Sequence, residues 1–330
     1  VTINSADNVT ATTFTAASLT QVDGSGTTTL NGAVNTNAVA GVNIVNEAIA
    51  VNNSINTTNG GIVTLNADTL GLSIAAAGDI TATGTVNLTG ANGISTAGNV
   101  TTTGQVVNYN SATTLTGGVL INTTSDTPTG GTVTFASTVN GATDFTEDLT
   151  VSAGAGNVSF MGAVGSGATQ ELGAVVVNST GATLFNSTVE AASVLTNAGG
   201  TTQLNGNVTT SGTPTYNDAV EVQSNITLST PNSAVLFADT VDSQTGETNN
   251  LTVTAGTGGI TFADTVGGVN RLGAILITSA GAVNVDADMI AASLNSTSST
   301  FDSSGVLINT TGANDTDGGD ILISTTGVLT

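Results

Sequence analysis

The chain contains no cysteine, no tryptophan, no histidine and no lysine, so Arg271 is its one basic side chain. Each absence closes off a chemistry. Without histidine or cysteine there is no Ser-His-Asp triad, no Cys-His pair and no imidazole or thiolate metal centre. A cysteine-free chain also fits an exported protein, in which nothing locks the polypeptide during secretion. One Arg against 23 acidic residues gives a formal charge of −22, which disfavours nucleic acid and anionic lipid as partners. Three prolines are too few for an elastic or collagen-like chain. No run approaches the roughly 20 consecutive apolar residues of a membrane-spanning helix. Aromatic residues, at 3%, cannot furnish the girdles of a membrane barrel, so no membrane insertion is expected.

What remains is Thr, Asn, Gly, Ala, Val and Ser. Only 7% of residues are charged and mean hydropathy is +0.27, which argues against disorder, because disordered chains lack apolar surface to offset ordering entropy. Thr and Val are β-branched and suit pleated, half-buried surfaces. Gly and Asn suit tight turns. The composition is that of an all-β protein. A start at Val1, with neither Met nor a signal peptide, reads as a mature product or the ordered part of something longer.

The chain repeats itself. "LGAVVVNSTGA" at 172–182 returns as "LGAILITSAGA" at 272–282, and "LTVSAGAGNVSF" at 149–160 returns as "LTVTAGTGGITF" at 251–262. "VTFASTV" at 133–139 maps onto "VLFADTV" at 235–241, and "AAS" at 191–193 recurs at 291–293. Two residues are lost before Leu272, in the segment that holds Arg271, as a turn tolerates and a strand does not. Inside this long repeat runs a shorter beat of Gly, one residue, an aliphatic or Thr, one residue, then Phe or another aliphatic. Gly131-Val133-Phe135, Gly156-Val158-Phe160 and Gly181-Thr183-Phe185 are three examples. Residues two apart share one face of a strand, and the leading Gly supplies the corner.

A strand–corner–strand unit of about 20–25 residues is the signature of a solenoid. The expected fold is a parallel β-helix in which each coil lies on the last at about 4.8 Å and like residues form ladders. Phe135, Phe160, Phe185, Phe237 and Phe262 are the expected core ladder, with Thr and Asn ladders outside. One continuous solenoid over residues 1–330 is expected, its clearest copies at 133–250 and 235–330.

The Thr/Asn/Gly-rich run "LTVTAGTGGITF…LGAILITSAGAVNV…AAS" resembles the β-strand repeats of bacterial filamentous-haemagglutinin-type exoproteins. The resemblance covers nearly the whole chain. It implies a right-handed parallel β-helix exported to the cell surface, where relatives serve as adhesins, surface fibres or biofilm-matrix components. The N-terminal secretion domain of such proteins is not evident here.

Catalysis has little to work with. β-Helix lyases pair acids with Lys or Arg, and hydrolases use paired carboxylates. The acidic pairs Glu147-Asp148, Asp286 with Asp288, and Asp315 with Asp317 read as solvated surface groups, with no aromatic platform for sugar beside them. "NDTDGGD" at 314–320 places Asp315, Asp317 and Asp320 around two glycines, a pattern of oxygen ligands for Ca²⁺ that lacks the distal Glu of a calcium loop; its alternative is a plain acidic loop between coils. Asn-x-Ser/Thr sequons abound, Asn122, Asn178, Asn207 and Asn309 among them, and a chain this rich in Asn and Thr makes many by accident. Arg271 reads as a surface charge in a variable turn.

The expected function is a structural or adhesive extracellular fibre, not an enzyme, and a carbohydrate-binding or carbohydrate-active β-helix is the alternative. Both chain ends read as ordinary coils, with open strand edges that invite pairing. The expected partners are a second copy stacked end to end or the continuation of a longer chain, together with a host or matrix glycan. No cofactor beyond the Ca²⁺ pattern is implied.

Overall fold

The computed structural model of the chain describes residues 1–311 and 318–330. They are strands, turns and corners with no helix, and therefore include no helix long and apolar enough to cross a membrane. The chain forms two compact units, one of residues 1–173 with 177–181, the other of 174–176 with 182–330. Both are stacks of parallel β-solenoid coils, about 15 turns in all.

In the first unit each turn lays down three short strands. Val63–Ala67, Leu72–Ile74 and Ile80–Ala82 make one turn, and they pair in parallel with Val86–Gly90, Ile94–Thr96 and Val100–Thr102 of the next. The residues alternate as the beat requires: Val63, Leu65 and Ala67 are buried, while Thr64 and Asn66 point outward. Small and medium aliphatic residues fill the interior because three facing strands leave only a narrow core. The leading glycine is a steric requirement. A methyl group on Gly156 would collide with the backbone of Gly131, its counterpart one coil below. Gly154 and Gly256, equivalent in the long repeat, take left-handed conformations at φ +60° and +59°, which Gly adopts without a Cβ penalty.

Two kinds of polar ladder tie coil to coil. On one outer face Thr15, Asn35, Asn56, Thr81, Thr101 and Asn122 stand in register, with Asn56 Nδ2 donating to Asn35 Oδ1 at 3.1 Å. Inside the corner that follows, Thr57, Thr102 and Thr123 donate to the carbonyls of Gly61, Gln105 and Gly131 at 2.6, 2.7 and 2.9 Å. These hydroxyls satisfy carbonyls that the turn removes from the sheet.

The aromatic residues form columns. In the first unit Tyr109, Phe135 and Phe160 stack with ring centroids 4.8 and 5.1 Å apart. In the second, Tyr216, Phe237 and Phe262 stack at 5.5 and 5.1 Å. Phe185 belongs to neither of the second unit's aromatic strands. It lies on the sheet of Ala182–Phe185, Thr201–Leu204 and Ala219–Val222, whereas Phe237 and Phe262 lie on the sheet of Thr215–Tyr216, Val235–Phe237 and Ile260–Phe262. The five phenylalanines therefore do not form one ladder.

The cause is a phase difference between two periods. The sequence equivalent of Phe185 is Val285, which pairs in register with Phe262 on the other sheet. The long repeat of about a hundred residues thus spans a whole number of strands but not a whole number of turns. Within the second unit each copied strand is advanced by one face. The 25-residue spacing of the phenylalanines marks neighbouring turns only inside one copy.

Each column begins with a tyrosine whose hydroxyl is buried without a hydrogen-bond partner, and burial pushes the ionisation of both phenols upward. An orphaned buried hydroxyl costs about 1–3 kcal/mol. Tyr216→Phe is therefore expected to raise the urea midpoint, while Phe237→Ala, at the centre of its column, is expected to cost about 3–5 kcal/mol. Equilibrium unfolding of the two variants beside the parent checks both signs.

Candidate functional site

Most corners are a few residues long. Among the longer ones, two pairs are stacked on each other. In the first unit residues 142–148 leave one coil and 165–171 leave the next. Gly141 N donates to Gln170 O at 2.8 Å and Phe145 N to Glu171 O at 3.0 Å. Asn140 joins the two loops, its Oδ1 accepting from Ser166 N at 3.0 Å and its Nδ2 donating to Gln170 Oε1 at 3.2 Å. The second unit repeats the device with residues 244–250 and 267–271. Ser243 N donates to Asn270 O at 3.0 Å, and Asp242 Oδ1 accepts from Val269 N and Asn270 N at 2.9 and 3.1 Å. Asn140 and Asp242 are equivalent positions of the long repeat.

The two loop pairs share a scaffold and differ in chemistry. The first carries Asp144, Glu147, Asp148 and Glu171. The carboxyl groups of Asp144 and Glu171 hydrogen-bond to one another on the open surface. That bond is the main reason the Asp144 carboxyl is pushed above the ordinary aspartate range, with desolvation and the like charge of Glu171 adding. It is also the main reason Glu171 is held below its own range, with backbone hydrogen bonds assisting. Phe145 follows Asp144 in the chain and donates its N–H to Glu171 O; it is 42% exposed and in a left-handed conformation at φ +52°, which is strained for a bulky residue.

One expectation changes here. Glu147 is not a solvated surface group: it is 5% exposed, and its Oε2 accepts from Thr143 N at 3.0 Å in the space left by the missing Cβ of Gly141. Phe145, two positions before Glu147 in the sequence, faces solvent. Asp286 and Asp288 are exposed, and Asp288 Oδ1 caps Leu307 N at 2.9 Å.

Arg271, in the second loop pair, is not a free surface charge either. Its guanidinium donates to Ala291 O at 2.9 Å and to Thr310 O, carbonyls on the next two coils. Both bonds come from one nitrogen, Nη2, which ties the two carbonyls together, while Nε is buried without a hydrogen-bond partner. Asp218, also in the second unit, is buried, accepting from Gly200 N at 2.8 Å and Thr202 Oγ1 at 3.1 Å. Burial dominates over these bonds and raises its carboxyl.

The sequon asparagines mostly serve the ladders. Asn207 Oδ1 caps Thr227 N, Asn225 caps Asn250 N, and Asn250 in turn caps Ala274 N, at 2.8, 2.8 and 2.6 Å. Asn122 and Asn309 accept locally from Thr124 and Thr311, the hydroxyl residues of their own sequons. Asn178 is exposed and donates to Ser152 Oγ at 3.4 Å. Of the Ca²⁺ pattern, Asp315 and Asp317 lie outside the described residues; Asp320 is exposed and its main-chain oxygen accepts from Leu294 N. Among the described residues no group of three or more acidic side chains is placed to hold a metal ion.

The fold and its ladders define the chain as a β-solenoid repeat protein. No protein-family model matches it, and neither a curated protein nor a solved structure does.

Two residues give direct tests of these assignments. A carboxyl raised in the folded state binds its proton more tightly folded than unfolded, so Asp218 favours folding at acid pH and opposes it as pH rises through its raised value. Asp218→Asn is accordingly expected to raise Tm at neutral pH, with the gain vanishing below the ordinary aspartate range. Arg271→Met removes Nη2 and with it both bonds. Amide exchange around Ala291 and Thr310 is expected to accelerate, as followed by hydrogen–deuterium exchange mass spectrometry, and unchanged protection there would show that the guanidinium joins nothing.

Proposed function

We propose that this chain is a segment of an extracellular or cell-surface fibre, structural or adhesive, whose useful property is the stiffness and chemical neutrality of stacked coils. The observation that carries this reading is that polar ladders run coil upon coil while the strands hold no catalytic constellation. The first coil supports it. Ile3, Val9 and Phe14 point inward yet are only partly covered, whereas Leu30, Val34 and Val42 of the following coils are fully buried. At the other end Ile321 and Leu322 are 48% and 58% exposed. A further coil, from a longer chain or from a second copy, would cover these edges, since an unpaired flat edge templates strand addition. Electron microscopy at several dilutions tests the reading. Filaments with a layer line near 4.8 Å are expected, and discrete particles of one size at every dilution would remove end-to-end growth of this segment.

A carbohydrate-binding role is the second reading, favoured by one observation: an exposed aromatic ring, Phe145, flanked by the paired carboxyls of Asp144 and Glu171. Aromatic faces and carboxylates are common elements of saccharide sites. If it holds, Phe145→Ala abolishes retention on an immobilised matrix glycan while leaving the unfolding midpoint within error. Equal retention of parent and variant would discard it.

A further inference from the structure

Five Asn-Gly steps occur in the chain, at Asn31, Asn59, Asn92, Asn140 and Asn205. Such a step is intrinsically reactive. The amide nitrogen of the glycine can attack the side-chain carbonyl carbon of the asparagine, because no Cβ on the glycine hinders the approach. In an ordered chain the reaction needs a glycine nitrogen whose N–H is not already held by an acceptor. The five steps differ in that respect.

Gly32 N donates to Ala11 O at 3.2 Å, Gly93 N to Gly90 O at 2.9 Å, and Gly141 N to Gln170 O at 2.8 Å. Gly60 N donates to Thr83 Oγ1 at 2.9 Å. Gly206 N has no acceptor among the described residues. The side chain of Asn205 makes a ladder bond, Nδ2 to Asn186 Oδ1 at 3.1 Å, between partly exposed side chains, while its main chain is tied to Phe185 O and to Ser224 Oγ. The other four nucleophiles are occupied by a turn, a neighbouring coil or a threonine hydroxyl.

We propose that Asn205–Gly206 is the site of spontaneous succinimide formation in the folded protein. Gly206 N forms a bond to Asn205 Cγ as the Cγ–Nδ2 bond breaks. The proton from Gly206 N leaves with Nδ2 as ammonia. Water then opens the five-membered imide at either carbonyl and leaves aspartate or isoaspartate at that position. No oxidant, metal or enzyme is required.

The products matter to the ladder. Both lose the primary amide that donates to Asn186 and add negative charge to an already acidic chain: aspartate puts a carboxylate in its place, and isoaspartate frees the former main-chain carbonyl as the carboxylate. Isoaspartate also carries the main chain through the former side chain, which lengthens the backbone between this residue and Gly206. Two bonds to the next coil depend on that stretch: Gln223 N to Leu204 O at 2.9 Å and Ser224 Oγ to Asn205 O at 3.0 Å. Modification at this one step would loosen one coil-to-coil seam of the second unit.

The test is peptide mapping of the full chain after incubation at mildly alkaline pH, with one sample native and one in concentrated urea. Glu-specific and chymotryptic cleavage, followed by mass spectrometry, reads the exchange of NH for O at each asparagine. In the native sample the Asn205 peptide is expected to convert several-fold faster than any of the other four. In urea, where no amide is held, the five are expected to converge. Asn205→Gln should suppress the product at this site and leave the others unchanged. Equal native rates at all five steps, or faster conversion at Asn31, Asn59, Asn92 or Asn140, would overturn the proposal.

Discussion

Parallel stacking in register is the constraint on which this structure depends. Each residue sits about 4.8 Å from its counterpart in the coils on either side, so every position must tolerate a near copy of itself at van der Waals distance. Charge does not tolerate this, because like charges directly opposite destabilise a sheet. In the first unit the acids Asp23, Glu47, Asp68 and Asp79 accordingly lie between strands, while the outward strand positions carry mainly Thr, Asn and Ser, with a few apolar residues such as Val45, Ala50 and Leu120. The second unit holds an exception in Glu221, which pairs in register with Asp242. There one oxygen of Asp242 is taken by two main-chain amides of the loop above, which lowers the effective charge that Glu221 faces.

The same constraint explains the composition. Thr and Asn can stack on themselves because each offers both a donor and an acceptor, and an Asn column closes a hydrogen bond at every step. Phe can stack on Phe because nearly parallel rings about one coil spacing apart remain attractive; Phe237 and Phe262 lie only 4° from parallel. Histidine and lysine have no such self-complementary stack at neutral pH, since each would repeat its own charge or tautomer conflict along the column. The single Arg is consistent with this, because it stands in a loop, where its Nη2 donates to two carbonyl oxygens.

The architecture was legible because its signal repeats. The beat Gly131-Val133-Phe135 and Gly156-Val158-Phe160 places a corner, two buried positions and an outward one in five residues, and parallel pairing of Val133 with Val158 follows from it. The features of the loops were not legible, because they arise from one irregular segment lying on another. Nothing near Glu147 announces that Gly141 leaves room for its carboxylate. Nothing near Asp144 announces Glu171, which is brought beside it only when the next coil closes. Arg271 likewise looks free until two later coils present their carbonyls. Sequons were ambiguous for a related reason: Asn225 and Asn250 satisfy a glycosylation pattern and also cap the next coil, and only the second use depends on what lies above them.

The phase difference between the sequence repeat and the coil follows from the same physics. A copied segment can be advanced by one face only if all faces present equivalent environments. In the second unit they do. Phe185 faces Leu204 in the next coil, and its copy Val285 faces Phe262 in the preceding one, so both sites accept a large or medium apolar residue. A solenoid whose faces had specialised, one flat and charged or another lined by a catalytic set, would lose its function when a copy was inserted out of phase. Tolerance of such a copy implies that the strands carry structure and that chemical individuality resides in the loops. The two loop pairs bear this out, since Asn140 and Asp242 hold the same scaffold together while one pair exposes an aromatic ring among acids and the other carries the lone guanidinium.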